Sequence, residues 1–127
     1  MMNGDISIAL LQKSLDAVWY RQSVTLNNIA NSETPGYKSK SVEFESMLKS
    51  AITSGAGSKG KLVSEISDLE PRLTENKGTS AKEDGNNVNL EAENVSLAKQ
   101  QLQYMYTTAA LSAHINRIKY VITEGKG

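Results

Sequence analysis

The stretch Asn27–Lys40, NNIANSETPGYKSK, carries three asparagines within five residues and then the turn Thr34-Pro35-Gly36-Tyr37. Proline presets φ at the second turn position and Gly36 tolerates positive φ at the third, so the tetrapeptide predicts a type II turn. Thr34, placed before proline, is pushed toward extended geometry, and a helix arriving from the N-terminal side must stop before it. Asn31 suits the left-handed residue that closes such a helix, its amide free to serve loose backbone groups. Local physics alone therefore reads a helix terminator followed by a turn. That reading decides the fold, because it makes everything before residue 31 one helix and forces the chain to begin again after it.

Upstream, Ile8, Leu11, Leu15, Val18, Gln22, Thr25 and Ile29 recur at spacings of three and four, a coiled-coil-like seam whose last third turns polar. The spacing predicts a helix from about Ile6 to Ala30, with Asp5 or Ser7 as its cap. Asn27 and Asn28 are adjacent and cannot both face one helical partner, so at least one is expected to meet another surface. Downstream, Asp84, Gly85, Asn86 and Asn87 form a turn that leads into a second long helix. Asn89 is its expected N-cap, with Glu91 and Glu93 in the first turns where the helix dipole favours negative charge. Leu97, Gln101, Tyr104, Thr108, Leu111, Ile115, Ile118 and Ile122 form one stripe of this helix, and Val95, Ala98, Leu102, Met105 and Ala109 a second beside it. Arg117 and Lys119 suit its last turns.

These segments predict an all-α fold. Ile8, Leu11, Leu15 and Val18 pair with Leu111, Ile115, Ile118 and Ile122 in an antiparallel, coiled-coil-like hairpin. Three regions follow: residues 1–50 (first helix and the Asn/turn segment), 51–84 (a flexible or weakly structured polar middle) and 85–127 (C-terminal helix), the two outer regions making one domain. In the middle, Leu62, Val63 and Ile66 offer at most a short strand or a turn of helix among Gly, Ser, Lys and Glu. A two-helix hairpin is marginal by itself, since most helix stability comes from packing. Charge is also scarce, with none from Gln22 to Ser32 and only Lys99 between Leu97 and Asn116. Neutral polar side chains are cheaper to bury than charges once hydrogen-bonded. The helices are therefore expected to meet neighbours on several sides.

Composition narrows the function. Lys plus Arg equals Asp plus Glu at 14 each in 127 residues, so no basic excess exists to hold a nucleic acid. The absence of cysteine removes disulfides, thiolate catalysis and Cys-ligated zinc. The N-terminal MMNGDISIALLQKSLD lacks the basic n-region and small-residue site of a cleaved signal peptide, and no stretch is apolar enough for membrane insertion.

A search for chemistry returns little. His114, the single histidine, has no Cys or second His to ligate with, and reads as a packed or surface residue. Glu43 and Glu45, like Glu91 and Glu93, are two apart, which does not place them on one helix face; they read as solvated acids or dipole partners. DGNN lacks the alternating ligands of a calcium loop, and GAGSKGK lacks the spacing of a phosphate loop because Leu62 follows Lys61. No cofactor, metal or small-molecule substrate is expected, and no enzyme.

The pattern Asn-Asn-x-Ala-Asn-x-x-Thr-Pro-Gly-Tyr, met by Asn27, Asn28, Ala30, Asn31, Thr34, Pro35, Gly36 and Tyr37, resembles the signature shared by the axial proteins of the bacterial flagellum, the rod proteins and more distantly the hook protein. The continuation through Phe44 and Glu45, and DGNNVNLEAE ahead of the last helix, resemble the same family, over residues 1–50 and 84–122. Asn89 departs from the family's usual Asp, an exchange that leaves a capping residue in place. The resemblance implies a structural subunit that self- and co-assembles into the helical drive shaft carrying torque across the periplasm. It also implies export through the flagellar type III apparatus without a cleaved signal. Implied partners are other rod proteins and the protein joining the MS ring to the rod. It further implies that Asn28, Asn31 and Tyr37 fix the post-helix segment against a neighbouring subunit. Two other classes remain beside this one: a soluble helical adaptor or export chaperone for axial proteins, and a wall-cutting hydrolase, for which no pair of acids is apparent.

Overall fold

The computed structural model describes residues 2–78 and 82–126. Six elements follow one another: α1 (Met2–Ala30), β1 (Lys40–Glu43), α2 (Glu45–Ser54), α3 (Lys59–Ser67), β2 (Arg72–Glu75) and α4 (Leu90–Lys126). The 29 residues of α1 and the 37 of α4 make rods of about 43 and 55 Å at the α-helical rise. They pair antiparallel: Asn28 reaches Glu93, Thr25 meets Gln100, and the Trp19 ring lies 6.1 Å from that of Tyr104. The seam is built from small and polar side chains at the Asn28 end, and from Val18, Leu15, Leu11 and Ile8 toward the start of α1.

Three sequence expectations are corrected. α1 begins at Met2 rather than near Ile6, so Ser7 lies inside the helix instead of capping it; the side chain of Asp5 lies outside the described part. The fold is mostly helical but not strictly all-α, because β1 and β2 pair antiparallel with Lys40 opposite Glu75, Ser41 opposite Thr74, Val42 opposite Leu73 and Glu43 opposite Arg72. Cross-strand pairs of this kind, one of hydroxyls, one of aliphatics and two of opposite charges, are the units that stabilise a sheet. The middle segment is also more ordered than its composition suggests, since it contains the last turn of α2 and all of α3 and β2.

That order comes from a few well-placed apolar groups. Phe44, the only phenylalanine, is buried with Ala17, Ala51 and Leu69, and Met47 and Leu48 pack against the cluster. Ala17 on α1 and Ala51 on α2 contribute small side chains to this cluster. Ile66 is 1% exposed. Ser58 caps α3, accepting from the Lys61 amide at 3.3 Å, so the GAGSKGK stretch is a helix-to-helix turn. α2 and α3 thus form a short hairpin on the flank of α1, while α4 lies along another face of α1.

The inward face of α4 is Glu93, Ser96, Leu97, Gln100, Tyr104, Thr107, Leu111, His114, Ile115 and Ile118. Gln101 and Thr108, assigned to this stripe from spacing, are exposed, and Gln100 and Thr107 take their places. Ile122 points along the same face yet is 53% exposed, because the register of the pair runs α4 past the start of α1. The second stripe, with Val95, Leu102 and Met105, is exposed.

Candidate functional site

The asparagines of the two sequence signatures converge on one place, where the end of α1, the turn after it and the segment before α4 meet. The turn is as its residues dictate. Gly36 has φ of 73° and the Tyr37 amide donates to Thr34 O at 3.2 Å, the geometry of a type II turn. Asn31 does not take the left-handed conformation expected of it, since no non-glycine among the described residues has positive φ. Its amide N–H instead bonds back to Asn27 O and Asn28 O, its side chain donates to Asn27 O at 2.8 Å, and its Oδ1 accepts from the Thr34 hydroxyl at 3.1 Å. A non-glycine in left-handed geometry is costly, and these bonds let the chain leave the helix without it.

Asn28 is the first fastener, 1% exposed. Its Nδ2 donates to Lys40 O at 2.8 Å and its Oδ1 accepts from the Lys40 amide at 2.9 Å. One side chain thereby pairs both backbone groups of a residue at the start of β1, as a neighbouring strand would. Nδ2 also donates to Glu93 Oε2 of α4 at 3.2 Å. Tyr37 lays its hydroxyl between Asn27 Oδ1 (2.8 Å) and Asn28 Oδ1 (3.1 Å). Burial pushes the Tyr37 phenol up, with the charges of Glu93 and Glu75 acting the same way, so it remains a donor at neutral pH. Lys40 Nζ stands 5.6 Å from the Tyr37 ring.

Asn86 and Asn87 supply the other half. Asn86 is 0% exposed; its Nδ2 donates to Asn31 O and Thr34 O, each at 2.8 Å, and its Oδ1 accepts from the Val88 amide at 2.8 Å. Asn87 takes the Ser39 amide on Oδ1 at 2.6 Å, gives its own amide N–H to Tyr37 O at 3.2 Å and donates Nδ2 to Asn76 O at 2.7 Å. Between them the backbones touch directly: Gly36 N–H donates to Asp84 O at 2.8 Å, and Lys38 Nζ reaches Gly85 O at 2.5 Å. Gly85 has φ of 83°, and a Cβ there would stand 3.7 Å from the Cα of Gly36. Asn89 caps α4, its Oδ1 accepting from the Ala92 amide at 3.1 Å.

The structure therefore brings Asn27, Asn28, Asn31, Thr34, Gly36 and Tyr37 together with Asp84, Gly85, Asn86 and Asn87. Ala30 and Pro35 are exposed at the edge of this clasp. Asn28, Asn31 and Tyr37 make the hydrogen bonds described here within the chain. Of the hairpin residues, Ile8, Leu11, Leu15, Val18, Leu111, Ile115 and Ile118 are buried or half-buried.

Sequence reading missed two anchors beside the clasp. Arg21 forks onto both oxygens of Glu45 and donates to Val42 O at 3.1 Å, and the hydrogen bond from Arg21 holds the Glu45 carboxyl below the usual range. Glu43 binds the Ser46 hydroxyl at 2.6 Å and Arg72 at 2.9 Å; the Ser46 bond, then Arg72, lowers it likewise. Both acids were read as solvated because their partners lie 24 and 29 residues away. Gln100 was likewise unremarked in the sequence, yet it is buried and donates to the Thr25 hydroxyl at 2.9 Å.

Among the described residues no three His, Asp or Glu side chains group as a metal site, and no helix is long and apolar enough to cross a membrane. The arrangement fastens backbone to backbone. No family model matches the chain. It is 32% identical over 124 residues to the flagellar basal body rod protein FlgB of Bacillus subtilis (strain 168), across 94% of this chain and 95% of that protein. The FlgB of Borrelia hermsii is 31% identical over 130 residues, 93% of this chain and 96% of that one. The FlgB of Escherichia coli (strain K12) is 27% identical, across 95% and 96%. With such identity sustained from end to end, the chain belongs to the FlgB family of flagellar basal body rod proteins.

Proposed function

We propose that the chain is a structural subunit of the proximal rod, self- and co-assembling into the helical shaft that carries motor torque across the periplasm. The observation that carries this reading is the outer face of α4. Val95, Leu102, Met105, Tyr106 and Tyr120 are all more than half exposed along a helix whose opposite face is already occupied by α1. An apolar stripe of that length on a small chain is an interaction surface. Contacts of the heterologous, head-to-tail kind generate an open helix rather than a closed dimer. The clasp fits the same role, since it fixes the angle at which the post-helix segment leaves the hairpin. The neighbours in this reading are other rod proteins and the protein joining the MS ring to the rod, reached after export through the flagellar type III apparatus.

Mass spectrometry of purified, stripped hook–basal bodies tests it. Recovery of the chain at a few copies per basal body is the expected result. Recovery only in the soluble cytoplasmic fraction, with intact rods present, overturns it in favour of an adaptor or export chaperone.

A further inference from the structure

β1 and β2 form a ribbon with two edges, and the chain treats them unequally. The Asn76 amide donates to Ser39 O at 2.8 Å, which sets the alternation of the antiparallel ladder. Ser41 with Thr74 and Glu43 with Arg72 exchange the inner bonds, while Lys40, Val42, Leu73 and Glu75 turn their backbone groups outward. On the β1 side that edge is sealed by α1. Asn28 takes both the amide and the carbonyl of Lys40, and Arg21 takes Val42 O. On the β2 side, the amides and carbonyls of Leu73 and Glu75 have no hydrogen-bond partner among the described residues.

The side chains of Leu73 and Glu75 share one face of the ribbon with those of Lys40 and Val42. Leu73 is 42% exposed and lines an open cleft of about 320 Å³ with Tyr20, Ser23, Val24, Asn27 and Lys40. Glu75 is exposed and has no ion pair among the described residues. We propose that the outer edge of β2 is a docking site for an extended segment of another protein, one that carries Lys or Arg two residues from an aliphatic side chain. Backbone pairing with Leu73 and Glu75 supplies the attachment, and alternate side chains supply the selection. β1 shows the chemistry that β2 already accepts, with Lys40 opposite Glu75 and Val42 opposite Leu73. A segment of that pattern repeats both pairings on the free side. The β1 strand of a second copy is already held between its own α1 and β2, so the segment comes from a different chain. With only four residues, Pro71 ahead of it and charges within it, the edge is protected from indiscriminate pairing.

The purified full-length chain and a capped peptide of residues 38–44, KSKSVEF, decide the matter whatever becomes of the rod assignment. In the chain alone the Leu73 and Glu75 amides should exchange with solvent freely, and saturating peptide should slow both by about tenfold or more in NMR-detected hydrogen exchange. The Thr74 amide, which faces β1, should keep its protection. N-methylation at the peptide's Lys40 and Val42 should weaken binding about tenfold, the worth of one or two hydrogen bonds. Leu73→Pro removes an amide that takes no part in the β1 ladder, a position where a strand tolerates proline. It should leave far-UV circular dichroism unchanged and abolish the slowing at Glu75; the N-methylated peptide makes the same test with the protein unaltered. No slowing at millimolar peptide, equal slowing by the N-methylated peptide, or slowing at Glu75 that survives Leu73→Pro would each overturn the proposal. So would loss of Thr74 protection, the mark of a peptide that displaces β1. Slowing that follows the concentration of the chain without peptide would also overturn it, in favour of two copies paired edge to edge.

Discussion

Asn86 shows what an uncharged side chain achieves at the centre of this molecule. Its amide has two donors and an acceptor, and it spends them on Asn31 O, Thr34 O and the Val88 amide. Asn86→Ala strands these groups without solvent, and the expected loss is about 2–4 kcal/mol in urea unfolding. Asn86→Asp costs more at pH 7, because a carboxylate turns an acceptor toward two carbonyls. That excess narrows below pH 4, where the protonated acid regains one donor; an equal loss at both pH values would argue against this bonding. Gly36 is required for another reason. Nothing lies within 4 Å of where its Cβ would be, but φ is 73°, a conformation costing an L-residue about 1–2 kcal/mol. Gly36→Val is expected to leave far-UV circular dichroism nearly unchanged while abolishing incorporation into rods, and normal incorporation would remove the turn from the assembly mechanism. The capacity of these residues was legible in the sequence: proline and glycine named the turn, and asparagines named a need for backbone partners. The partners were not, because Asn86 meets residues 55 and 52 positions away and a single chain carries no mark of such pairings.

At the scale of elements, legibility follows length. α1 and α4 repeat their apolar spacing over many turns, so their faces can be counted from the sequence. α3 has nine residues and β2 four; α3 is held by the buried Ile66 and β2 by its pairing with β1, and no periodicity reveals either. The α2–α3 packing is correspondingly sensitive. A Cβ at Gly55 would stand 2.6 Å from the Cα of Leu62, so Gly55→Ala must push the helices apart, at about 1–3 kcal/mol. Hydrogen exchange should then quicken in α3 while the α1 and α4 amides keep their protection. The Arg21–Glu45 anchor adds a pH dependence whose sign is fixed. Glu45 is depressed in the folded chain, so its contribution is full above the ordinary glutamate pKa of about 4.3. It is lost as pH falls through the lower folded value. Glu45 is 69% exposed, which limits the pair to about 0.5 kcal/mol after screening. Arg21→Leu should accordingly flatten the acid limb of stability against pH, and an unchanged limb would show that the pair contributes nothing.

For the whole molecule, one face of α4 is committed to folding and the other, in the proposed subunit, is left for neighbours. Leu102→Asp with Met105→Asp changes two residues that are more than half exposed, where substitutions usually move stability by no more than about 0.5 kcal/mol each. The double variant is expected to fold as before and to be missing from rods; recovery in rods at the normal level would exclude this face as a contact.

The clasp also has a mechanical meaning. It ties α1 to β1 through Asn28, the post-helix turn to the lead-in of α4 through Asn86, and β1 to the loop after β2 through Asn87. These ties act side by side rather than in series. Sliding one long helix along the other loads them simultaneously, whereas a zipper would yield one bond at a time. Fastened in this way, the chain meets shear with several hydrogen bonds at once, and shear between neighbouring helices is the strain that twisting would impose on it in the proposed shaft.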